Sequence, residues 1–86
     1  MNERQQEITR ELLRVLKNSD NRPMADAILH AGVNVRLHVN PSVAEYEDAR
    51  DHADREGWIV GVRNQTTGAI RWSLTDAGQV ALRDLS

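Results

Sequence analysis

Apolar positions along the chain follow two periods, and the switch between them marks its parts. From Glu3 to Lys17, Ile8, Leu12, Val15 and Leu16 recur at i, i+4, i+7 and i+8 with Leu13 beside them, which predicts a helix with one buried stripe. Asn18 to Arg22 is a polar break. Pro23 suits the first turn of a second, short helix, in which Ala27, Ile28 and Ala31 face inward and Gly32 ends the run. Asn34 to Pro41 then alternates Val35, Leu37 and Val39 with Arg36 and His38, the pattern of a short strand or an extended loop.

Ser42 followed by Glu45 is a capping box, so a third helix is expected from Ser42 to Glu56, with Tyr46, Ala49 and Ala53 on its inner face. Gly57 stands where a left-handed cap is needed. From there the period drops to two. Trp58, Val60 and Val62 alternate with Ile59, Gly61 and Arg63, and Ile70, Trp72 and Leu74 alternate with Arg71 and Ser73. These runs predict a hairpin turning at Asn64 to Gly68. Thr75 caps a last helix, Asp76 to Leu85, whose Ala77, Val80, Ala81 and Leu85 are spaced to cover a core. Trp58 and Trp72 are assigned to that core rather than to base stacking, because a hairpin this short turns its aromatics inward.

Eighty-six residues at 40% hydrophobic composition suffice for one domain, 1–86, with a single core. With no cysteine, neither disulfides nor thiolate metal sites hold it, and a reducing compartment is expected. The polar start and the lack of a long apolar run predict a cytoplasmic protein with no membrane segment. Asn64-Gln65-Thr66 matches a glycosylation sequon but reads as turn chemistry.

Glu56-Gly57-Trp58-Ile59, the turn at Asn64 to Gly68, and Trp72-Ser73-Leu74-Thr75-Asp76-Ala77-Gly78 together resemble the winged helix-turn-helix family, as found in bacterial transcription regulators. The resemblance covers nearly the whole chain. It implies an α+β winged helix: a three-helix core, a two-stranded antiparallel wing with a short third strand at most, and a closing C-terminal helix. It further implies binding to double-stranded DNA, a role in transcription regulation, a homodimer reading two half-sites, and no enzymatic activity. Family members have a turn of a few residues between the second and third helices, whereas about ten residues separate Gly32 from Ser42 here.

Charge alters what the resemblance implies about docking. The third helix, the family's reader of the major groove, carries six acids against Arg50 and Arg55, a local charge of −4; with −2 overall, the rest of the chain stands at +2. Its outward positions are Ala44, Glu47, Asp48, Asp51 and Arg55. Three carboxylates there would repel phosphate. Positive charge lies elsewhere: Arg63 and Arg71 flank the wing, Arg36 sits in the 34–41 connection, and Arg10, Arg14 and Lys17 edge the first helix. Asn64, Gln65 and Thr67 add neutral groups at the wing tip. A wing-led contact with backbone or minor groove through Arg63, Asn64, Gln65, Thr67, Arg71 and Arg36 is therefore expected. The alternative is a protein-interaction module whose Glu47, Asp48, Asp51 and Arg55 meet a basic partner. Outward strand arginines are also common without any function. Asp48 and His52, four apart, read as an exposed hydrogen-bonded pair, so no metal and no cofactor are expected.

Overall fold

The computed structural model describes residues 2–20 and 22–86; Met1, and Asn21 in the polar break, lie outside the described residues. The order is α1 (Glu3–Asn18), β1 (Met24–Ala25), α2 (Asp26–Arg36), α3 (Val43–Arg55), β2 (Ile59–Arg63), β3 (Ile70–Leu74) and α4 (Asp76–Leu85). Ile8, Leu12, Leu13 and Leu16 bury one side of α1, and α2, α3, α4 and β3 all pack on that helix. Val15 is only half-buried, at the edge of the stripe.

The second helix departs most from expectation. It starts at Asp26 and continues through Gly32 to Arg36, so its buried stripe is Leu29, Val33 and, at the cap, Leu37. Ala27, Ile28 and Ala31 face solvent instead. Gly32 is no terminator: it marks where α1 crosses, since a Cβ there would lie 2.9 Å from Val15 Cγ1. The apparent strand at 34–41 is absent. Val35 is 87% exposed and Val39 63%, because the alternation there is the tail of a helical stripe read at the wrong period. Only residues 37–42 connect α2 to α3, close to the short turn of the winged-helix family.

The third strand exists, but at Met24–Ala25, where Met24 pairs with Trp72 and Ala25 with Arg71. The sheet order is β1-β3-β2, all antiparallel. Register places Ile59, Gly61 and Arg63 on the side of Leu74, Trp72 and Ile70, and Val60 and Val62 on the side of Ser73 and Arg71. The first side faces the helices. Trp72 is buried, Trp58 precedes β2 and packs half-buried against the core, and Val60 and Val62 are exposed. Trp58 therefore does not share a face with the two valines as simple alternation suggests.

The caps form as the sequence predicts. Ser42 and Glu45 close a reciprocal capping box, Thr75 Oγ1 accepts from Gly78 N, and Gly57 and Gly68 take positive φ. In α4 the buried positions are Gly78, Ala81 and Leu82, one step round from the expected Ala77 and Val80, which are exposed. A Cβ on Gly78 would collide with the Trp58 carbonyl oxygen, so the Ala77-Gly78 turn permits α4 to lie on the start of the hairpin.

Two polar clusters fix the helices relative to the sheet. The first centres on Asp26, at the start of α2. Its Oδ1 accepts from Tyr46 Oη at 3.0 Å, Arg50 Nη1 at 3.1 Å and Trp72 Nε1 at 3.1 Å. The Arg50 guanidinium lies 5.7 Å from the ring centroids of both Tyr46 and Trp72. Burial, with the Asp26 carboxylate beside it, pushes the Tyr46 hydroxyl above its ordinary pKa, so it stays a donor. Burial opposes the charge on Arg50, but its bonds to Asp51 and Asp26 outweigh this and raise its pKa.

The second centres on Glu11, a buried carboxylate of α1. It accepts from Arg14 at 3.0 Å, from Arg36 of α2 at 3.0 Å and from Arg10 at 3.4 Å. Burial alone would raise the Glu11 pKa. The Arg36 hydrogen bond, the charge of Arg14 and the Arg10 hydrogen bond overcome that, and the net shift is downward.

Asp26→Ala leaves the donors of two buried side chains, Tyr46 and Trp72, and a guanidinium without their shared acceptor. A loss of about 1–3 kcal/mol in denaturant unfolding is expected, with a change in Trp72 emission. A loss below about 0.5 kcal/mol, the scatter of ordinary surface changes, would show that the cluster does not hold the sheet to α2. For Glu11, a depressed folded pKa means that its stabilisation is fully present above the unfolded value of 4.5 and is lost as pH falls through the folded value. Glu11→Gln should therefore destabilise the protein near neutral pH by about 1–3 kcal/mol, discounted toward the low end because the three arginines are about one-third exposed. It should also flatten the stability curve below pH 4.5. A parallel acid limb in wild type and variant would contradict this.

Candidate nucleic-acid interface

The third helix presents the wall of carboxylates that its sequence implies. Tyr46, Ala49 and Ala53 are buried, while Ala44, Glu47, Asp48, Asp51 and Arg55 are exposed together on the other side. Asp51 accepts from Arg50 at 3.0 Å, and Glu47 forms a looser ion pair with it at 3.9 Å. Glu45 holds Arg4 at 3.2 Å, and the Ser42 backbone N–H, then Arg4, keep its carboxyl below the usual range. Arg4 also donates to the Val39 carbonyl at 3.0 Å, tying the α2–α3 connection to α1.

Ion pairing divides the cations into two groups. Arg4, Arg10, Arg14, Arg36 and Arg50 each hold a carboxylate; among the described residues Lys17, Arg22, Arg55, Arg63, Arg71 and Arg83 make no ion pair. Arg36 is thus not a loop residue. It ends α2, points its guanidinium at Glu11, and lies ten residues, roughly 15 Å of helix, from the end of α2 that meets the hairpin. Arg10 and Arg14 are likewise engaged by Glu11.

Arg63 and Arg71 flank the wing from opposite faces. Arg63 pairs with Ile70 on the helix side, where a shallow cavity of about 220 Å³ is lined by Asp54, Gly61, Arg63, Ile70 and Trp72. Arg71 points from the outer face, between Ala25 of β1 and Val62 of β2. The structure does not bring the two guanidinium groups to one spot; it sets one on either side of a narrow ribbon.

At the tip, Asn64 Oδ1 accepts from Thr66 N at 2.8 Å and Thr67 N at 3.1 Å, and Thr67 Oγ1 accepts from Ala69 N at 3.2 Å. Those two oxygens shape the turn, which leaves the Asn64 amide hydrogens and the exposed Gln65 as the outward donors. Arg22, just ahead of β1, escaped sequence reading. It belongs to no alternation or stripe, and only the pairing of β1 with β3 brings it near Arg71. No group of three or more His, Asp or Glu that could hold a metal occurs among the described residues. No helix among them is long and apolar enough to cross a membrane.

No family model matches the chain, and no curated protein does. Two solved structures do. SSV1 F-93 aligns over 99% of this chain and 83% of its own with a TM-score of 0.68 at 22% identity. A candidate transcriptional regulator, TA0346 from Thermoplasma acidophilum, aligns over 90% of this chain and 72% of its own with a TM-score of 0.69 at 20% identity. With helix, short strand, helix, helix, hairpin and closing helix all in place, the chain has the winged helix-turn-helix fold.

Proposed function

We propose that this domain is a DNA-binding transcription regulator that docks through its wing rather than through α3. The carrying observation is the division of charge: α3 turns three carboxylates outward, while Arg63 and Arg71, on the two faces of the hairpin, make no ion pair among the described residues. A ribbon with one cation on each face can meet the phosphates that wall the minor groove, whose width of about 6 Å admits side chains of the tip rather than the strands themselves. Asn64 and Gln65 then meet the floor or rim of the groove with neutral donors. The description of TA0346 as a candidate transcriptional regulator agrees with this reading. So small a footprint favours a homodimer bound at two half-sites in the cytoplasm. Neither catalysis nor a cofactor enters.

A second reading has its own observation. The exposed face formed by Glu47, Asp48, Asp51 and Arg55 adjoins Val43, 61% exposed at the start of α3, and this combination suits a basic, partly apolar protein segment. Reversal of Glu47, Asp48 and Asp51 would abolish such an association and leave wing-led DNA binding intact or stronger.

Binding to a labelled random duplex is expected at about 50 mM salt and should weaken steeply with added salt. Arg63→Ala should weaken it on every sequence and reduce the slope of log K against log salt by about one. An unchanged slope removes Arg63 from the phosphate contacts. Absence of wild-type binding at the lowest salt would refute the regulator reading for this domain.

A further inference from the structure

A cavity of about 380 Å³ opens on the outer face of the sheet, lined in part by Arg22, Pro23, Met24, Ala25, Ile28 and Arg71. Two guanidinium groups contribute to its wall and no carboxylate does. Among the described residues neither arginine makes an ion pair, although five others in the chain do. Asp26, the nearest acid in sequence to Met24 and Ala25, turns its Oδ1 away to Tyr46, Arg50 and Trp72.

Both arginines are held from the backbone. Arg71 sits in the central strand, with Ala25 on one side and Val62 on the other, so neither cross-strand neighbour can neutralise it. Arg22 follows a closed turn: its N–H donates to Ser19 O at 3.2 Å, Ser19 Oγ donates to Arg22 O at 3.1 Å, and Asp20 takes φ +58°. Pro23 then fixes the next φ. Exposed Ile28 and the methylenes of Met24 give the cavity apolar walls, beside which a charge-assisted bond is stronger than in open water. The depression is open to solvent, so a phosphodiester can reach both arginines with part of its hydration kept.

We propose that Arg22 and Arg71 jointly seat one backbone phosphate of the duplex, clamping one strand against the outer face of the sheet. This rests on the DNA-docking reading and adds to it a residue and a stoichiometry: two guanidinium groups on a single phosphate. Two cations sharing one phosphate displace the counterions of one phosphate, so slope and affinity separate. Arg22→Ala and Arg71→Ala should each weaken duplex binding about tenfold. The salt slope should change little in either, because the remaining guanidinium still neutralises the phosphate. The double variant Arg22→Ala/Arg71→Ala should lose about one from the slope. Arg22→Lys, which keeps the charge without the fork, should restore part of the affinity.

Wild-type affinity in Arg22→Ala would overturn the shared seat, and so would a slope loss of about two in the double variant, which means separate phosphates. Arg63→Ala in the same series distinguishes the levels: if it lowers the slope while the Arg22 variants bind as wild type, wing-led docking stands and the clamp falls. If wild type binds no duplex, both fall. Anionic lipid vesicles carry the same phosphodiester; equal binding to them, lost in the same variants, would assign the cavity to a membrane surface and overturn the duplex. Both side chains are exposed, and a thermal melt of each variant checks that the fold persists.

Discussion

One carboxylate oxygen joins three parts of this molecule. Asp26 Oδ1 receives hydrogen bonds from Tyr46 and Arg50 of α3 and from Trp72 of β3, while its own backbone begins α2. Helix two, helix three and the wing are thereby referred to a single point. The need for such a point follows from the sheet's size: β1 contributes only two residues and the hairpin five on each strand, too little burial to fix its angle to the helices. Arg50 fills the gap between the Tyr46 and Trp72 rings, so the same contact is polar at its centre and aromatic around it. Arg50 itself is held to α3 through Asp51, which keeps the acidic helix and the wing from moving independently.

The same economy governs charge. Buried Glu11 gathers Arg10 and Arg14 from its own helix and Arg36 from the next, and the more exposed Glu45 takes Arg4, so these two acids neutralise cations on the helical side. The acids of α3 lie mostly outward, and of its two arginines Arg50 pairs with them while Arg55 makes no ion pair among the described residues. Cations beyond reach of any carboxylate are left at helix ends and along the sheet. The result is a molecule of small net charge and strong polarity, acidic at α3 and basic at the wing. Net charge alone would have concealed this.

Much of the layout was legible because single residues with strong local roles announce it. Ser42 with Glu45, Gly57, Gly68 and Thr75 each solved a local backbone problem, and each boundary they mark is where it was expected. The stretch from Pro23 to Pro41 was not legible. There a glycine that makes room for Val15 looks like a helix stop, and Val35, Leu37 and Val39 mimic a strand, although Leu37 alone is buried, completing the stripe begun at Leu29 and Val33. Period 2 and the flank of a 3.6-residue period cannot be told apart over five residues. The true third strand, Met24–Ala25, is too short to show any period and exists only because β3 is there to pair with it. For the candidate site, Arg63, Arg71 and the acidic face of α3 came from alternation and helical spacing. The engagement of Arg36 by Glu11, separated by 25 positions, and the approach of Arg22 to Arg71 depend on tertiary pairing that no local pattern records.

The polarity of the domain and its rigid wing bear on how a duplex would be met. At a distance of one Debye length, about 8 Å at physiological salt, a phosphate array repels α3 and attracts the sheet, so approach is oriented before any contact forms. Once the wing is seated, α3 is not free to swing into the major groove, because the Asp26 contact fixes its angle to β3. Sequence discrimination on this reading comes from groove width and the few donors at the tip, not from a helix reading base edges. Binding of that kind would be weak for a single copy and tolerant of sequence, and two copies spaced along the same duplex would be needed to give it selectivity. The acidic helix acts in that scheme as a negative element, holding the domain off the deeper groove and leaving its outward face open to another protein.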